Sequence, residues 1–175
     1  MLCRSCMCLK RSALAGPLPT SMYDESIDPS PPIPHRLLQA QAPQPPPFHI
    51  YIIEQSDDGR KFNRGKLLNI GFQLASAPSS GAPHEAYVFH DVDLLPSPEL
   101  VPYYLEAPTG GPVHIARVWG RYSGNPKYIG GAVAFTGADF RRINGFPNTF
   151  WGWGGEDDEM RRRIDEVGPW VGVGG

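Results

Sequence analysis

The uneven distribution of proline is what most constrains the fold of this chain. Ten of its 20 prolines lie between Pro17 and Pro47, in a stretch without periodic apolar residues. Such a segment buries too little apolar surface to offset the entropy lost on ordering, so disordered or polyproline-like backbone is favoured. We therefore predict a disordered, proline-rich segment over residues 1–47, with a short helix at 35–40, and an ordered domain over residues 48–175.

The charge balance and the cysteines narrow the class of protein. The 175 residues suit one domain, and 16 basic against 18 acidic side chains give a net charge of −2, which gives no indication of nucleic-acid or membrane-surface binding. The only cysteines are Cys3, Cys6 and Cys8, which excludes a disulfide framework in the body of the protein and is too little for a zinc site. No apolar run near the N-terminus is long enough for a signal peptide or membrane anchor.

Strands and helices alternate in the remainder of the chain. β-Branched and aromatic runs predict buried strands, and apolar residues at helical spacing predict helices. The predicted strands cover 48–53, 86–90, 113–116 and 131–135, and the predicted helices cover 63–75, 139–143 and 156–167. This order favours a mixed α/β sheet that binds ligands at the carboxyl ends of its strands.

The run from Trp151 to Glu159 indicates sugar chemistry. Two indoles separated by glycine lead into four consecutive carboxylates. Indole faces suit stacking on a sugar, glycine lets backbone approach a ligand, and a carboxylate can act as a general base. The alternative is that the acids only stabilise the dipole of the final helix, by roughly 0.3–1 kcal/mol each. That alternative does not explain the two tryptophans.

Two carboxylates follow the predicted strand at 86–90. Asp91 and Asp93 are one residue apart, and oxygen ligands of this kind suit Mg²⁺ or Mn²⁺ bridging a diphosphate. An Asp-x-Asp pair is also common in surface turns, so the pair alone does not establish a metal site.

Two further segments carry candidate ligand-binding residues. The run from Phe62 to Lys66 lies at a helix entrance, where backbone N–H groups and cations can bind a nucleotide phosphate, or where an ordinary helix begins. The run from Tyr128 to Gly131 places an aromatic ring beside a glycine pair, as a turn or as the wall of a ligand site.

Together these motifs resemble the β-1,4-galactosyltransferase family. The matching blocks are 62–69, 89–96, 128–131 and 144–158, in the family's order and with nearly its spacing. The resemblance implies a GT-A fold and an inverting, Mn²⁺-dependent transfer of galactose from UDP-galactose to a glycan acceptor. It also implies a location in the Golgi lumen.

The resemblance implies a role for each matching position. On the donor side, Asp93 would bind the metal and Asp91 would contact the donor. Phe62 and Arg64 would hold the uridine nucleotide. Tyr128 and Gly131 would line the donor sugar, and Glu156 would help to bind it. The positions at the reacting centre are Asp157 as general base, Asp158 on the acceptor hydroxyls, and Trp153 on a mobile loop where donor and acceptor meet.

The chain also departs from the family. No Pro-Phe-Arg-x-Arg-like strand precedes Phe48, and no His follows His114. Asp93 is then the one protein ligand of the expected metal set. We therefore expect a GT-A sheet incomplete at both ends, and the alternative function is a non-catalytic nucleotide- or sugar-binding relic. The acceptor stays open between xylose, N-acetylglucosamine and glucose.

Overall fold

The protein is described by a computed structural model over part of its length. Backbone is described for residues 4–11, 48–77, 83–120, 124–125, 127–168 and 171–172, and side chains are described for all of these except 4–11 and 171–172.

One six-stranded sheet organises the described residues. Its strands are β1 (Arg4–Arg11), β2 (Phe48–Glu54), β3 (His84–Asp91), β4 (Val113–His114), β5 (Ala132–Phe135) and β6 (Val171–Gly172). They lie in the order β2-β1-β3-β5-β4-β6. Every neighbouring pair is antiparallel except β4 and β6, which are parallel. The predicted mixed sheet is therefore confirmed.

Two of the four α-helices in the described part of the chain begin at a side-chain cap, and the last of them begins after Gly155. They are α1 (Arg64–Ala75), α2 (Val101–Leu105), α3 (Gly137–Arg142) and α4 (Glu156–Val167), with 3-10 turns at Pro98–Leu100 and Ile115–Val118. The Asn63 side chain accepts a hydrogen bond from the Lys66 backbone N–H at 2.9 Å, and Thr136 caps α3 in the same way. Such caps satisfy backbone donors that the first turn leaves unpaired.

The prediction of disorder is wrong for Arg4–Arg11. These residues form β1, which pairs with β2 on one side and β3 on the other; Cys6, for example, stands opposite Ile52 and His90. The prolines begin only at Pro17, so they never applied to this stretch, and ladder hydrogen bonds from two neighbours favour the extended backbone. Residues 12–47, including the predicted helix at 35–40, lie outside the described residues, and the domain boundary at 47/48 stays a prediction.

β1 also fills the position where we expected the sheet to lack a strand. The sequence predicted a missing strand ahead of Phe48, which would leave an open edge. In the structure β1 occupies the position between β2 and β3, so the sheet is continuous there.

Apolar side chains cover both faces of the sheet. Alternation in β3 sends Phe89 into a cluster with residues of α1, α3 and α4, while Val88 joins a second cluster with residues of α2. Alternation in β5 divides its residues in the same way. Strands buried on both faces read as continuous apolar runs, which is the pattern that predicted them. The helices of the first face carry residues that converge at one end of the sheet.

Two local predictions need adjustment. The strand predicted at 113–116 has only two residues, and Ile115–Val118 turns into a 3-10 helix instead. The helical stretch from Pro98 to Leu105 was not predicted. Within the described part of the chain, none of the helices combines the length and the apolar character needed to cross a membrane.

Candidate functional site

Three elements bring one arginine and three carboxylates together. Arg64 opens α1, Asp91 closes β3, and Glu156 and Asp157 open α4. Arg64 Nε lies 2.7 Å from Asp91 Oδ1, and Arg64 Nη1 lies 2.9 Å from Asp157 Oδ1 and 3.7 Å from Glu156 Oε1. The Arg64 side chain is 11% exposed. We call these four residues the acid–arginine cluster.

The electrostatics of the cluster favour a proton acceptor near neutral pH. Burial raises the pKa of Asp157 to about 6; Arg64 opposes this shift, while Glu156 and Asp91 add to it. Burial also disfavours the charge of Arg64, but Asp157 and Asp91 outweigh it and raise the pKa of the guanidinium. A base is most effective when its pKa lies close to the working pH. Asp157 meets that condition.

Glu156 presents an unsatisfied carboxylate oxygen to the cluster. The residue is buried, and its Oε2 makes no hydrogen bond to any of the described residues. Leaving a buried acceptor without a donor costs about 1–3 kcal/mol, and more for a charged one. Because this oxygen is also shielded from solvent, a ligand hydroxyl could reach it only after the surrounding side chains moved.

A tight turn borders Asp157 on the side of β5. A Cβ at Gly130 would lie 2.2 Å from the Tyr128 hydroxyl oxygen and 2.3 Å from Asp157 Oδ2. Both polar atoms therefore occupy space that only glycine leaves open. Gly131 has φ of 88°, and its carbonyl accepts a hydrogen bond of 2.8 Å from the Asp91 N–H. The turn is thus joined to the end of β3.

The start of α1 is fixed against the loop before α4. A Cβ at Gly65 would lie 2.5 Å from the Pro147 carbonyl oxygen, so the helix backbone packs directly on that loop. Asn69 accepts from the Phe146 N–H at 2.9 Å and donates to its carbonyl at 2.8 Å. These contacts hold Arg64 beside the first turn of α4.

Arg163 ties α4 to the same loop from the other end. Its guanidinium donates to the carbonyls of Asn144 and Gly145 at 2.8 and 2.9 Å, and to Glu159 Oε1 at 2.9 Å. Glu159 also binds Arg162. Glu159 and the arginines therefore serve the helix and its anchorage.

The loop at residues 151–155, which we call the tryptophan loop, runs along the solvent edge of the acid–arginine cluster. The Gly152 N–H donates to the Phe62 carbonyl at 2.7 Å, which attaches the loop to the entrance of α1. Arg60 and Lys66 lie over the Trp151 ring, 4.9 and 5.9 Å from its centroid. Trp153 is fully exposed. Its indole is free to meet a ligand.

The predicted site residues fall into two groups. Those that meet around the cluster are Arg64, Asp91, Tyr128, Gly131, Glu156 and Asp157. Those that lie at its margin are Phe62, half-buried, and Asp93, Trp153 and Asp158, all exposed. The roles implied for each stay predictions. No role was assigned to Asn69 or Gly130 from the sequence. The features that could have pointed to them are a polar residue within the apolar pattern of α1 and the pair of adjacent glycines before β5.

Comparison with known proteins identifies the family. The chain matches a model described as the N-terminal region of glycosyl transferase group 7 over residues 32–105. It matches another, described as the N-terminal domain of galactosyltransferase, over residues 111–170. The chain belongs to the β-1,4-galactosyltransferase family.

Two human galactosyltransferases illustrate the similarity. The chain is 40% identical to human β-1,4-galactosyltransferase 4 over 126 residues, which cover 67% of this chain and 33% of that protein. It is 38% identical to human β-1,4-galactosyltransferase 3 over 124 residues, or 69% of this chain and 30% of that protein. The chain thus spans about a third of the length of these relatives.

A solved galactosyltransferase has the same fold. The structure is a mutant of Drosophila β-1,4-galactosyltransferase 7 in complex with manganese, UDP-Gal and xylobiose. It matches with a TM-score of 0.56 and 36% identity, covering 67% of this chain and 47% of that one. The predicted GT-A fold is confirmed.

The metal expected from the family meets few ligands in the described part of this chain. No group of three or more His, Cys, Asp or Glu residues suited to a metal occurs among the residues whose side chains are described. Asp91 Oδ1 is bonded to Arg64, whereas Asp93 is exposed two residues after β3. The described residues supply one accessible carboxylate, which does not by itself make a metal site.

Proposed function

We propose that this chain carries the reacting centre of a galactosyltransferase. The activity is transfer of galactose from UDP-galactose to a glycan hydroxyl, forming a β-1,4 linkage with inversion. The observation that carries the proposal is Asp157, a half-buried carboxylate with a pKa raised to about 6, at the junction of the acid–arginine cluster and the tryptophan loop.

Asp157 acts as the general base. An acceptor hydroxyl oxygen forms the new bond to C1 of galactose, the bond from C1 to the UDP oxygen breaks, and the hydroxyl proton passes to Asp157. A single displacement of this kind needs one base and no covalent sugar intermediate, in keeping with inversion. General-base help of this kind typically contributes about 10²–10⁴-fold to the rate.

The donor sugar lies against the inner part of the cluster. Glu156 contacts the donor sugar, and because its Oε2 is shielded from solvent, a contact at that oxygen requires the surrounding side chains to move when the donor binds. Asp91 also contacts the donor. Tyr128 and Gly131 border the sugar, and the closeness of Tyr128 to Gly130 favours galactose over a bulkier N-acetyl sugar.

The nucleotide lies towards the entrance of α1. Phe62 and Arg64 hold the uridine part of UDP in this proposal. Because the Arg64 guanidinium already binds Asp91 and Asp157, nucleotide contact by Arg64 requires its free N–H groups or exchange of one carboxylate partner.

The acceptor enters from the solvent side. Asp158 binds its hydroxyls, and Trp153 covers the junction of donor and acceptor. The indole is fully exposed on a loop whose glycines, Gly152 and Gly154, have φ of 101° and 92°. Loop closure over the donor would exclude water and so limit hydrolysis.

Family membership supports two further parts of the proposal, the use of Mn²⁺ and a location of the activity in the Golgi lumen. Asp93 is the protein ligand that would hold Mn²⁺ together with oxygens of the donor diphosphate and water, as hard cations accept. A metal held there would supply positive charge to the leaving diphosphate. We place the activity in the Golgi lumen on the same basis.

Product analysis tests the proposal. The full 175-residue chain is incubated with Mn²⁺, UDP-galactose and xylose, N-acetylglucosamine or glucose acceptors, and the anomeric coupling of the product is read by NMR. We expect a β-linked galactoside with one acceptor class. Binding of UDP is measured in parallel by titration calorimetry. A chain that binds UDP but neither transfers galactose nor hydrolyses the donor would contradict the proposal and support a non-catalytic relic.

A further inference from the structure

We propose that His114 is a positioning residue for the galactosyl site, acting through a hydrogen bond to the carbonyl of Gly130. The inference rests on the proposed function, since it assigns how that site is held in place. No part of His114 needs to touch the substrate.

His114 lies behind the turn that borders the base. It ends β4 and is 1% exposed. Its Nε2 lies 2.8 Å from the Gly130 carbonyl oxygen, and its ring stands edge-on to the Tyr128 ring at 6.1 Å. Because a carbonyl can only accept, Nε2 carries the proton and donates.

The turn is held at two successive carbonyls by two different strands. Gly130 O accepts from His114 on β4, and Gly131 O accepts from the Asp91 N–H at the end of β3. Two bonds to adjacent peptide units fix both the position and the tilt of the turn. Loss of the first leaves the turn held at one point.

The opposite side of Gly130 faces the reacting groups. The Tyr128 hydroxyl and Asp157 Oδ2 both pack where a Cβ would stand, at 2.2 and 2.3 Å. With so little free space, a shift of the Gly130 Cα moves the surface on which the base and the tyrosine rest. A displacement of about 1 Å from the reactive geometry can lower a rate about 10²-fold.

The environment keeps the imidazole in the donating form. Burial lowers the pKa of His114; the bond to Gly130 opposes this shift, and Arg117 and Arg161 add to it. Burial therefore favours the neutral ring, in which the single proton lies on Nε2 and is donated to Gly130. Without this donor the Gly130 carbonyl would keep only the longer hydrogen bond of 3.2 Å from the Ala132 N–H, which comes from the turn itself.

A pair of variants separates positioning from folding. His114→Leu fills a similar volume without a donor, and His114→Gln can place an amide N–H near the position of Nε2. We expect kcat to fall about 10–100-fold in His114→Leu, with the Kd for UDP within about twofold of wild type. His114→Gln should restore most of the loss. The inference would be overturned if both variants lost kcat equally and in proportion to the fall in their thermal unfolding midpoints. It would also be overturned if both variants kept the wild-type kcat.

A spectroscopic measurement works without turnover. In the full chain labelled with ¹⁵N-histidine, His114 should show a protonated Nε2 that exchanges slowly with water, a signal that His114→Gln lacks. In a chain labelled uniformly with ¹³C and ¹⁵N, the Gly130 and Gly131 backbone shifts and the Asp157 Cγ shift should change in His114→Leu and return towards wild type in His114→Gln. An unprotonated Nε2, or shifts indifferent to both variants, would refute the hydrogen bond. An inactive wild type with these shifts intact would contradict the proposed function instead.

Discussion

Arg64 Nη1 lies 2.9 Å from Asp157 Oδ1, although 93 positions separate the two residues in the chain. The contact joins the first residue of α1 to the first turn of α4. It places the charge of the guanidinium beside the proposed base and, through Asp91, beside the end of β3.

Removing that charge should destabilise the protein. In Arg64→Gln, three carboxylates at the cluster lose their cation, and breaking a buried ion pair from one side typically costs about 3–5 kcal/mol. We expect a loss of about 3 kcal/mol in the free energy of unfolding, measured by urea titration at pH 7. The matched control is Arg162→Gln, whose ion pairs are on the surface of α4 and whose removal should cost clearly less stability, because solvent screens exposed pairs. Equal losses in the two variants would contradict the central place of Arg64.

The raised pKa of Asp157 should appear in the pH profile of transfer. The base must be ionised to accept a proton, so kcat/KM should rise as pH increases and level off above an apparent pKa of about 6. Initial rates between pH 4.5 and 8 at low acceptor concentration give the profile. Arg64→Gln removes the opposing cation, and its rise should move to higher pH. A flat profile through pH 6 would show that a different group accepts the proton.

Gly130 should tolerate no side chain. In Gly130→Ala the new Cβ would overlap the Tyr128 hydroxyl and Asp157 Oδ2, and the resulting displacement should lower kcat by about 10²-fold or more. The rate is measured beside the circular dichroism spectrum, which should stay that of a folded chain. Gly124→Ala is the matched control, because a Cβ there meets nothing within 4 Å. Full activity of Gly130→Ala would mean that the turn does not border the reacting groups.

Trp153 should matter for transfer and not for stability. Its side chain is fully exposed, so Trp153→Ala should change the free energy of unfolding by less than about 0.5 kcal/mol. The acceptor KM should rise several-fold because the platform at the donor–acceptor junction is lost. Trp151→Ala is the comparison: it removes the ring that Arg60 and Lys66 cover, and a stability loss is expected there. An unchanged acceptor KM in Trp153→Ala would remove the residue from the site.

Elements with strong local periodicity were predictable from sequence. β2, α1, β3 and α4 lie within a residue or two of their predicted bounds, since apolar spacing and capping act over a few residues. β1 was missed because its extended backbone depends on ladder bonds to β2 and β3, partners that lie far away in the chain; the nearest pair, Lys10 and Phe48, is 38 positions apart.

The sequence named residues that the structure brings together in the acid–arginine cluster, whose roles stay predictions, but it did not give the geometry of the cluster. The family motifs named Arg64, Asp91 and Asp157, yet nothing in their spacing shows that one guanidinium joins both carboxylates. The close approach at Gly130 and the bond from His114 likewise depend on how β4, β5 and α4 pack together. Such contacts are properties of the folded chain.

Replacement of Asp157 by asparagine tests the central claim most directly. Asparagine keeps the size of the side chain and cannot accept the acceptor's proton as a base. The account predicts that Asp157→Asn loses galactosyl transfer by at least about 10²-fold while it binds UDP with Mn²⁺ as tightly as the unchanged chain. Asp165→Asn, an exposed change on the same helix, should leave both properties intact. Transfer by Asp157→Asn at the wild-type rate would contradict the assignment of Asp157 as the base.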